Sequence, residues 1–335
     1  MRLTRYVTLV LIAFAAVSAA RADWIRQNTG TFATLRDIAF SSQTTGWIIG
    51  SDGLMLRTDD GGRTWVQQKK FTNDAFVQIH FINEKTGWLL CERNFYARGS
   101  NATSYLRKTT DGGTTWDKIE FEDGGRERVT KLLFNPNGTA TAFGEGGVFY
   151  RLQEDGTTWK KVQTAIHFLL LGGSFGNEMI GAIAGAGGTI MYTEDSGFTW
   201  QKATLLGETD TRFNAVFFTG TKGAWAVGTK GRIFRSNGGA RLWRQQDSTV
   251  TANLNSVFFT SPTNGWAVGE AGIIVRTRDG GQTWTDVPSG VTNQLTKVVF
   301  AGGRGWAIGG GGTVLNYYEG VRVTDPQKPE LLQRN

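Results

Sequence analysis

Seven of the chain's 12 tryptophans recur at nearly regular intervals, 41 to 51 residues apart. They are Trp24, Trp65, Trp116, Trp159, Trp200, Trp243 and Trp284. A period of about 40 residues, with short apolar runs separated by glycine turns, is typical of one four-stranded blade of a β-propeller. The recurrence therefore predicts an all-β fold, a seven-bladed β-propeller of four-stranded blades.

A phenylalanine ends the first predicted strand of every repeat, named strand A here. The seven are Phe40, Phe81, Phe134, Phe175, Phe218, Phe259 and Phe300. Six or seven residues later, the predicted strand B carries the remaining tryptophans, which are Trp47, Trp88, Trp225, Trp266 and Trp306. The two middle repeats have Thr141 and Ala182 at that position. These positions account for every tryptophan, so none is left over for a separate task.

The last repeat lacks a fourth strand, strand D. Its strands A to C extend from Leu295 to about Tyr317, and a segment that resembles strand D, Trp24–Gln27, stands before the first strand A. We expect this N-terminal strand to complete the last blade and so to close the ring. The alternative is that residues 320–324 form their own outer strand.

The N-terminus has the pattern of a secretory signal peptide over residues 1–22. Arginines precede an apolar run, Val7–Ala16, and the small residues end in an Ala-x-Ala cleavage pattern at residue 22. We expect export to the periplasm or the extracellular space, or to the thylakoid lumen in an oxygenic phototroph. An uncleaved N-terminal anchor is the alternative. The propeller is then expected over 23–320, followed by a C-terminal tail at 321–335.

Charge and rare residues narrow the classes of function. The formal net charge is +7, part of which lies in the leader, and this is too weakly basic for a nucleic-acid-binding protein. The single cysteine, Cys91, cannot form an internal disulfide. His80 and His167 both fall in or beside A strands without ligand partners nearby in the repeat, so we predict neither a metal site nor a cofactor.

Four turns before strand D share the pattern Thr-x-Asp-x-Gly-x-Thr-Trp. Their acids are Asp60, Asp111, Asp195 and Asp279, and their tryptophans are Trp65, Trp116, Trp200 and Trp284. A short carboxylate at a turn accepts hydrogen bonds from nearby backbone N–H groups, while glycine supplies the positive φ. We therefore predict a structural role for these residues. In two further copies Glu154 and Gly238 take the acidic position.

This motif resembles the Asp-box, or BNR, repeat. Together with Gly-Trp-Ala-Val-Gly-x-x-Gly-x-Ile, which begins at Gly265, it resembles the photosystem II stability and assembly factor family and its bacterial relatives. The resemblance covers about residues 23–318. It implies a monomeric, non-enzymatic propeller, at most peripheral to the membrane, that binds a subunit or precursor of a membrane complex and assists its assembly.

Two groups of residues are candidates for binding that protein partner. In the resembled family, arginines on the propeller surface are associated with the partner, and here one position of strand C holds Arg57, Lys108, Arg151, Arg235 and Arg276. We expect these five on one rim, where the C-terminal carboxylate of a peptide would suit them. The alternative is that they are solvated charges at strand ends.

The second candidate is a loop inserted between strands B and C of the second repeat, around Cys91 to Ser104. Its candidate contact residues are Arg93, Phe95, Tyr96 and Arg98. The B–C and C–D loops of a blade lie at opposite ends, so this loop and the basic rim cannot form one continuous surface.

An Asp-box propeller that binds or hydrolyses polysaccharide is the alternative function. A glycosidase of the carboxylate-pair type needs two acids in one cleft, and Glu145 and Glu270 are the only acids that we would consider. The Phe-Arg-Ile-Pro signature of sialidases is missing. We predict no catalytic residue.

Overall fold

The structure of the protein is a computed structural model that describes residues 24–94 and 103–318. The predicted leader, the tail and the candidate residues Phe95, Tyr96 and Arg98 lie outside these ranges. Within them the chain forms seven sheets arranged as a ring, with the A strands innermost, and all strand pairs but one are antiparallel. The predicted seven-bladed β-propeller is confirmed.

The strands are numbered here in chain order, beginning with β1 (Trp24–Gln27). Blade 1 contains β2 (Leu35–Phe40), β3 (Gly46–Gly50), β4 (Met55–Thr58) and β5 (Val66–Gln67). Blade 2 contains β6 (Ala75–Phe81), β7 (Gly87–Glu92), β8 (Ser104–Thr109) and β9 (Asp117–Ile119). Blade 3 contains β10 (Val129–Phe134), β11 (Ala140–Gly144), β12 (Phe149–Leu152) and β13 (Trp159–Lys161).

The remaining strands follow the same order. Blade 4 contains β14 (Leu170–Phe175), β15 (Gly181–Gly185), β16 (Ile190–Thr193) and β17 (Gln201–Lys202), after which comes β18 (Thr204–Leu206). Blade 5 contains β19 (Phe213–Phe218), β20 (Ala224–Gly228), β21 (Ile233–Ser236) and β22 (Leu242–Gln246). Blade 6 contains β23 (Leu254–Phe259), β24 (Gly265–Gly269), β25 (Ile274–Thr277) and β26 (Thr285–Asp286). Blade 7 contains β27 (Leu295–Ala301), β28 (Arg304–Gly309) and β29 (Val314–Tyr318).

The N-terminal strand closes the ring, as predicted. β1 pairs antiparallel with β29, with Trp24 opposite Tyr317. It thereby occupies the strand-D position of blade 7. The Gln27 side-chain amide then donates to the Gly62 carbonyl of blade 1 at 3.0 Å, so the closing strand also fastens the first blade to the last.

Blade 5 departs from the predicted four strands. The chain leaves blade 4 and pairs β18 in parallel with β22, so Thr204 lies opposite Leu242 and the sheet of blade 5 has five strands. A long connection between strand D and the next strand A gives the chain enough length for this crossing. The extra strand covers the outer edge of blade 5, an edge that would otherwise offer unpaired backbone groups.

The strand-B tryptophans lie between blades. A Cβ atom on Gly113, in the C–D turn of blade 2, would lie 2.6 Å from the ring of Trp47 in blade 1. Gly62 of blade 1 packs in the same way on Trp306 of blade 7. Each of these turns therefore rests on the tryptophan of the preceding blade, which explains why glycine is required there.

The strand-D tryptophans are not uniformly buried. Trp24, Trp116, Trp159, Trp243 and Trp284 are buried. Trp65 of blade 1 and Trp200 of blade 4 are only half-buried. All seven still stand at or next to the outermost strand of a blade.

Every A strand carries a β-bulge four residues before its phenylalanine, which is the second residue of the strand in six blades and the third, Val77, in blade 2. The residue after the bulge lines the central channel. We call these seven the third-position residues of the A strands, and they are Asp37, Gln78, Lys131, Gly172, Ala215, Ser256 and Lys297. The sevenfold repeat of one irregularity thus places seven different side chains at one level of the channel.

Candidate functional site

Each complete Asp-box turn is built around one carboxylate. In blade 6, Asp279 Oδ1 accepts hydrogen bonds from the Thr277 hydroxyl at 2.8 Å and the Thr283 backbone N–H at 2.9 Å, and Oδ2 accepts one from the Thr283 hydroxyl at 2.6 Å. These bonds, that from the Thr283 hydroxyl above all, lower the pKa of Asp279 to about 2. Asp60, Asp111 and Asp195 make equivalent contacts. These carboxylates therefore have a structural role, which is to hold the backbone of the turns in place.

The turn of blade 3 uses a different acid from the one expected. Asp155, not Glu154, accepts hydrogen bonds from the backbone N–H groups of Thr157 at 2.9 Å and Thr158 at 2.8 Å. This turn is one residue shorter between its acid and Trp159 than the others are. Counting back at a fixed offset therefore selects the wrong neighbour, and this blade retains a working Asp-box carboxylate.

Blade 5 has no carboxylate in its turn, in agreement with Gly238 at the acidic position. Its Trp243 donates from the indole N–H to the Ala240 carbonyl at 2.8 Å. Arg241 of the same turn reaches Glu194 of blade 4 at 2.6 Å. The hydrogen bond of the Trp243 indole and the ion pair between Arg241 and Glu194 replace the missing carboxylate.

The A–B and C–D turns lie at one end of the ring, which we call the C–D face. In blade 1, for example, the Gly61 N–H donates to the Thr44 carbonyl at 2.7 Å. The predicted basic residues stand at the ends of the C strands near this face. They are Arg57, Lys108, Arg151, Arg235 and Arg276.

Four of these cations lie over the strand-B tryptophan of their own blade, at distances of 4.7 to 5.5 Å. The pairs are Arg57 with Trp47, Lys108 with Trp88, Arg235 with Trp225, and Arg276 with Trp266. Cations at this distance from an indole face are attracted by the ring quadrupole. Arg151 pairs instead with Thr141 across the sheet and lies 4.6 Å over Phe198 of blade 4.

Two of the cations also link neighbouring blades. Lys108 Nζ donates to the Gly156 carbonyl in the turn of blade 3 at 2.7 Å. Arg151 Nη2 donates to the Gly197 carbonyl in the turn of blade 4 at 3.1 Å. A carbonyl oxygen satisfies the donor without neutralising its charge, so both contacts leave a positive charge at the C–D face.

Burial separates Arg276 from the rest of the set. Its residue is only 6% exposed, and its Nη1 donates to the Tyr317 hydroxyl at 3.0 Å. Arg276 stands at the same strand position as the other four, but packing against blade 7 covers it. Arg57 remains partly exposed and pairs with Asp59 of its own turn at 2.8 Å.

Only Arg93 of the inserted-loop candidates falls within the described residues. Its Nη2 lies 2.6 Å from a Glu120 carboxylate oxygen, and its guanidinium lies 4.7 Å over the ring of Tyr105. The nearby Cys91 is buried, and burial raises the pKa of its thiol to about 12. The thiol is thus held in its unreactive protonated form.

The central channel is a feature that the repeat pattern did not single out. It encloses about 330 Å³ and is lined by all seven A strands. Its titratable residues lie on blades 7, 1, 2 and 3, which adjoin around the ring, and the Lys297 ammonium is 3.3 Å from Asp37. His80 stacks on Phe134 with ring centroids 4.3 Å apart. Comparing the third residue of every A strand would have identified Asp37, Lys131 and Lys297 from sequence.

The two acids considered for a glycosidase do not form a pair. Glu145 lies 3.7 Å from Arg128 in blade 3, whereas Glu270 accepts a hydrogen bond from Asn253 at 2.9 Å in blade 6. These blades do not adjoin. Among residues 24–94 and 103–318, no three histidine, cysteine, aspartate or glutamate side chains form a group that could hold a metal ion. No helix in the same ranges has the length and apolar character of a membrane span.

Seven blades, Asp-box turns that in blades 1 and 2 rest on the tryptophan of the preceding blade, and closure by the N-terminal strand define an Asp-box β-propeller. The chain belongs to the family described as Photosynthesis system II assembly factor YCF48, which matches residues 16–163, 124–237 and 236–322. The resemblance drawn from the motifs is confirmed.

Two relatives illustrate the similarity. The photosystem II assembly protein Ycf48 of Synechococcus sp. (strain JA-3-3Ab) is 25% identical over 187 residues, which cover 55% of this chain and 53% of the relative. The photosystem II assembly lipoprotein Ycf48 of Synechococcus sp. (strain CC9902) is 26% identical over 227 residues, or 65% of each chain. The chain thus spans between half and two thirds of the length of these relatives.

Solved structures share the fold more completely. The structure described as YCF48 bound to D1 peptide has a TM-score of 0.70 at 22% identity and covers 89% of this chain and 97% of that one. YCF48 from Cyanidioschyzon merolae has a TM-score of 0.72 at 24% identity, covering 90% and 100%. An enzyme, virginiamycin B lyase from Staphylococcus aureus, reaches 0.71 at 12% identity, covering 88% and 98%. At these identities the likeness shows the fold alone.

Proposed function

We propose that this chain is an exported, non-enzymatic propeller that assists assembly of a membrane protein complex by binding one of its subunits. The observation that carries the proposal is its membership of a family described as photosystem II assembly factors. The relatives include a lipoprotein and a chloroplastic protein, and both descriptions agree with export of this chain across a membrane. The predicted leader at residues 1–22 supports export to the periplasm or to a lumen.

The proposed binding surface is the C–D face over blades 1 to 3. Arg57, Lys108 and Arg151 stand at equivalent positions of three consecutive blades, and we call them the basic arc. Among the described residues, no carboxylate lies within ion-pair distance of Lys108 or Arg151. Their charges are therefore free to attract an acidic group of a partner.

Exposed apolar side chains flank the basic arc on the same face. Ile82 in the A–B turn of blade 2 is 53% exposed, and Met179 and Phe198 of blade 4 are 49% and 58% exposed. Uncompensated cations beside exposed apolar groups suit a peptide that carries both a carboxylate and apolar side chains. A C-terminal segment of a membrane-protein subunit has this chemistry, and one family member has been solved with a D1 peptide bound.

The inserted loop of blade 2 is the second proposed docking element, and the strand ends that flank it, Glu92 and Ser104, lie at the end of the ring opposite the C–D face. Within the described part of that loop, Arg93 is already paired with Glu120 and stacked on Tyr105. Its side chain is 17% exposed. The basic arc, where Lys108 and Arg151 donate to neutral carbonyls, is therefore the better candidate for the first contact with a partner.

Deleting the gene and complementing it tests the proposed role. Blue native electrophoresis of the host membranes should show reduced accumulation of one multisubunit complex and build-up of an unassembled subunit. The wild-type gene should restore the complex. Unchanged levels of every membrane complex in the deletion strain would overturn the proposal.

A further inference from the structure

The third-position side chains of the A strands divide into two chemical groups. Some accept a hydrogen bond from the backbone of the next A strand around the ring: Asp37 from Ile79 at 3.1 Å, Gln78 from Leu132 at 2.7 Å, and Ser256 from Val298 at 3.2 Å. Lysine has three donors and no acceptor. Lys131 and Lys297 therefore cannot make this blade-to-blade contact, and packing of the ring does not explain them.

The charges around these lysines do not cancel. Asp37 lies beside Lys297 at 3.3 Å, and among the described residues no carboxylate lies within ion-pair distance of Lys131. Arg36, at the position before Asp37, is paired with Glu92 at 3.4 Å. Among the channel-lining residues, a single aspartate thus offsets the two ammonium groups, so one positive charge is left over.

Two titration shifts agree with a positive and weakly solvated environment. Burial, then the charge of Lys297, lower the pKa of Lys131 to about 8, while Asp37 acts in the opposite direction. Burial lowers the pKa of His80 to about 4; Asp37 opposes that shift, and both lysines add to it. His80 is therefore neutral at pH 7, where it adds no positive charge and can still donate or accept one hydrogen bond.

The far side of the channel provides room. At the level of the two lysines, blades 4 and 5 have only Gly172 and Ala215, whose side chains are too short to reach across the channel. No ionisable side chain of β14, β19 or β23 lines the channel, within the described residues. The result is a cavity of about 330 Å³ with cations on one wall and uncharged residues opposite.

We propose that the central channel binds a small oxyanion, a carboxylate or a phosphate, between the ammonium groups of Lys131 and Lys297. The anion would supply the negative charge that the ring lacks and accept hydrogen bonds from both lysines. Such a site is separate from the C–D face and does not depend on the proposed assembly role.

Isothermal titration calorimetry of the full chain with sodium acetate, sodium phosphate and sodium chloride tests the site. Acetate or phosphate should bind saturably with one site per chain near pH 7, and chloride should not. Lys131→Met and Lys297→Met should each weaken binding at least about tenfold. Lys160→Met, which removes an exposed cation of β13, is the matched control and should leave binding unchanged.

Acetate keeps one negative charge from pH 7 to 9.5, so its pH dependence reports on the protein. Wild-type affinity should fall about tenfold or more near pH 9.5 as Lys131 loses its proton. Lys131→Arg should retain binding there because a guanidinium stays charged. Saturable binding that Lys131→Met leaves unchanged, or no saturable binding of either oxyanion to the folded wild type, would overturn the proposal.

Discussion

The ring of Trp24 lies 5.2 Å from the ring of Tyr317, which joins the first described strand to the last. Trp24 is 2% exposed and Tyr317 is 4% exposed. Nearly the whole chain lies between these two residues, so this one aromatic contact links the ends of the propeller. Closing a ring in this way fixes every blade between two neighbours.

Trp24→Ala should lower the free energy of unfolding by about 3–5 kcal/mol, the usual cost of removing a buried tryptophan side chain. Chemical denaturation followed by tryptophan fluorescence measures it. Phe32→Ala is the matched control, because Phe32 follows in the same segment but is 92% exposed. Its effect should stay within about 0.5 kcal/mol. Equal effects of the two changes would contradict closure by β1.

The corrected acid of the blade 3 turn gives a pair of adjacent variants. Asp155→Ala removes the acceptor for the Thr157 and Thr158 N–H groups and should lower the Tm. Glu154→Ala changes the neighbouring exposed acid and should leave the Tm unchanged. Differential scanning calorimetry of the two proteins decides the matter. A larger loss of Tm from Glu154→Ala than from Asp155→Ala would show that Glu154 is the acid that holds this turn.

Two glycines with nearly equal backbone angles separate packing from strain. Gly113 has φ +86° and Gly138 has φ +89°, but only at Gly113 would a Cβ atom meet a neighbour, the Trp47 ring at 2.6 Å. Alanine at either position costs about 1 kcal/mol for the left-handed backbone. Gly113→Ala should cost at least about 1 kcal/mol more because the blades must separate. Equal losses in urea unfolding would mean that the blades do not pack through this turn.

Stability should fall on acidification in a window set by His80. Its pKa is lowered to about 4 in the folded chain against an ordinary value of 6.5, so the unfolded chain binds the proton first as pH falls. The contribution of neutral His80 is complete above pH 6.5 and is lost progressively toward pH 4. His80→Phe, which keeps the stacking on Phe134, should flatten the dependence of stability on pH in this range. If the variant keeps the wild-type dependence of stability on pH, groups other than His80 cause that dependence.

Much of the fold follows from the sequence because its core positions repeat. Each blade needs a large aromatic side chain at the same two or three places to fill the gap to its neighbour, so residues such as Trp47 and Trp306 recur with the period of the blades. The strand at Trp24 has no partner within its own repeat, and this predicted that it closes the ring. The parallel crossing of β18 was not predictable in this way. It depends on a backbone pairing between blades that leaves no periodic signal.

The candidate site was harder to predict, since its residues differ from blade to blade. Strand position alone placed Arg276 with Arg57, but only the fold shows that the last blade buries one and leaves the other accessible. The turn of blade 3 is one residue shorter than the other Asp-box turns, so its acid is Asp155 and not Glu154. The channel charges at Lys131 and Lys297 come from strands far apart in sequence, and only the ring brings them to one level.

The most direct test of the assembly-factor account is capture of the partner by the tagged full chain from detergent-solubilised host membranes, with quantitative mass spectrometry. The double variant Lys108→Met, Arg151→Met keeps the aliphatic packing of the basic arc and removes two of its charges. A double control, Lys69→Met and Lys160→Met, removes two exposed cations elsewhere. The account predicts that a membrane-complex subunit is captured by the wild type and the control but reduced at least about tenfold with the arc variant at unchanged Tm. Equal recovery of that subunit by all three proteins would contradict it.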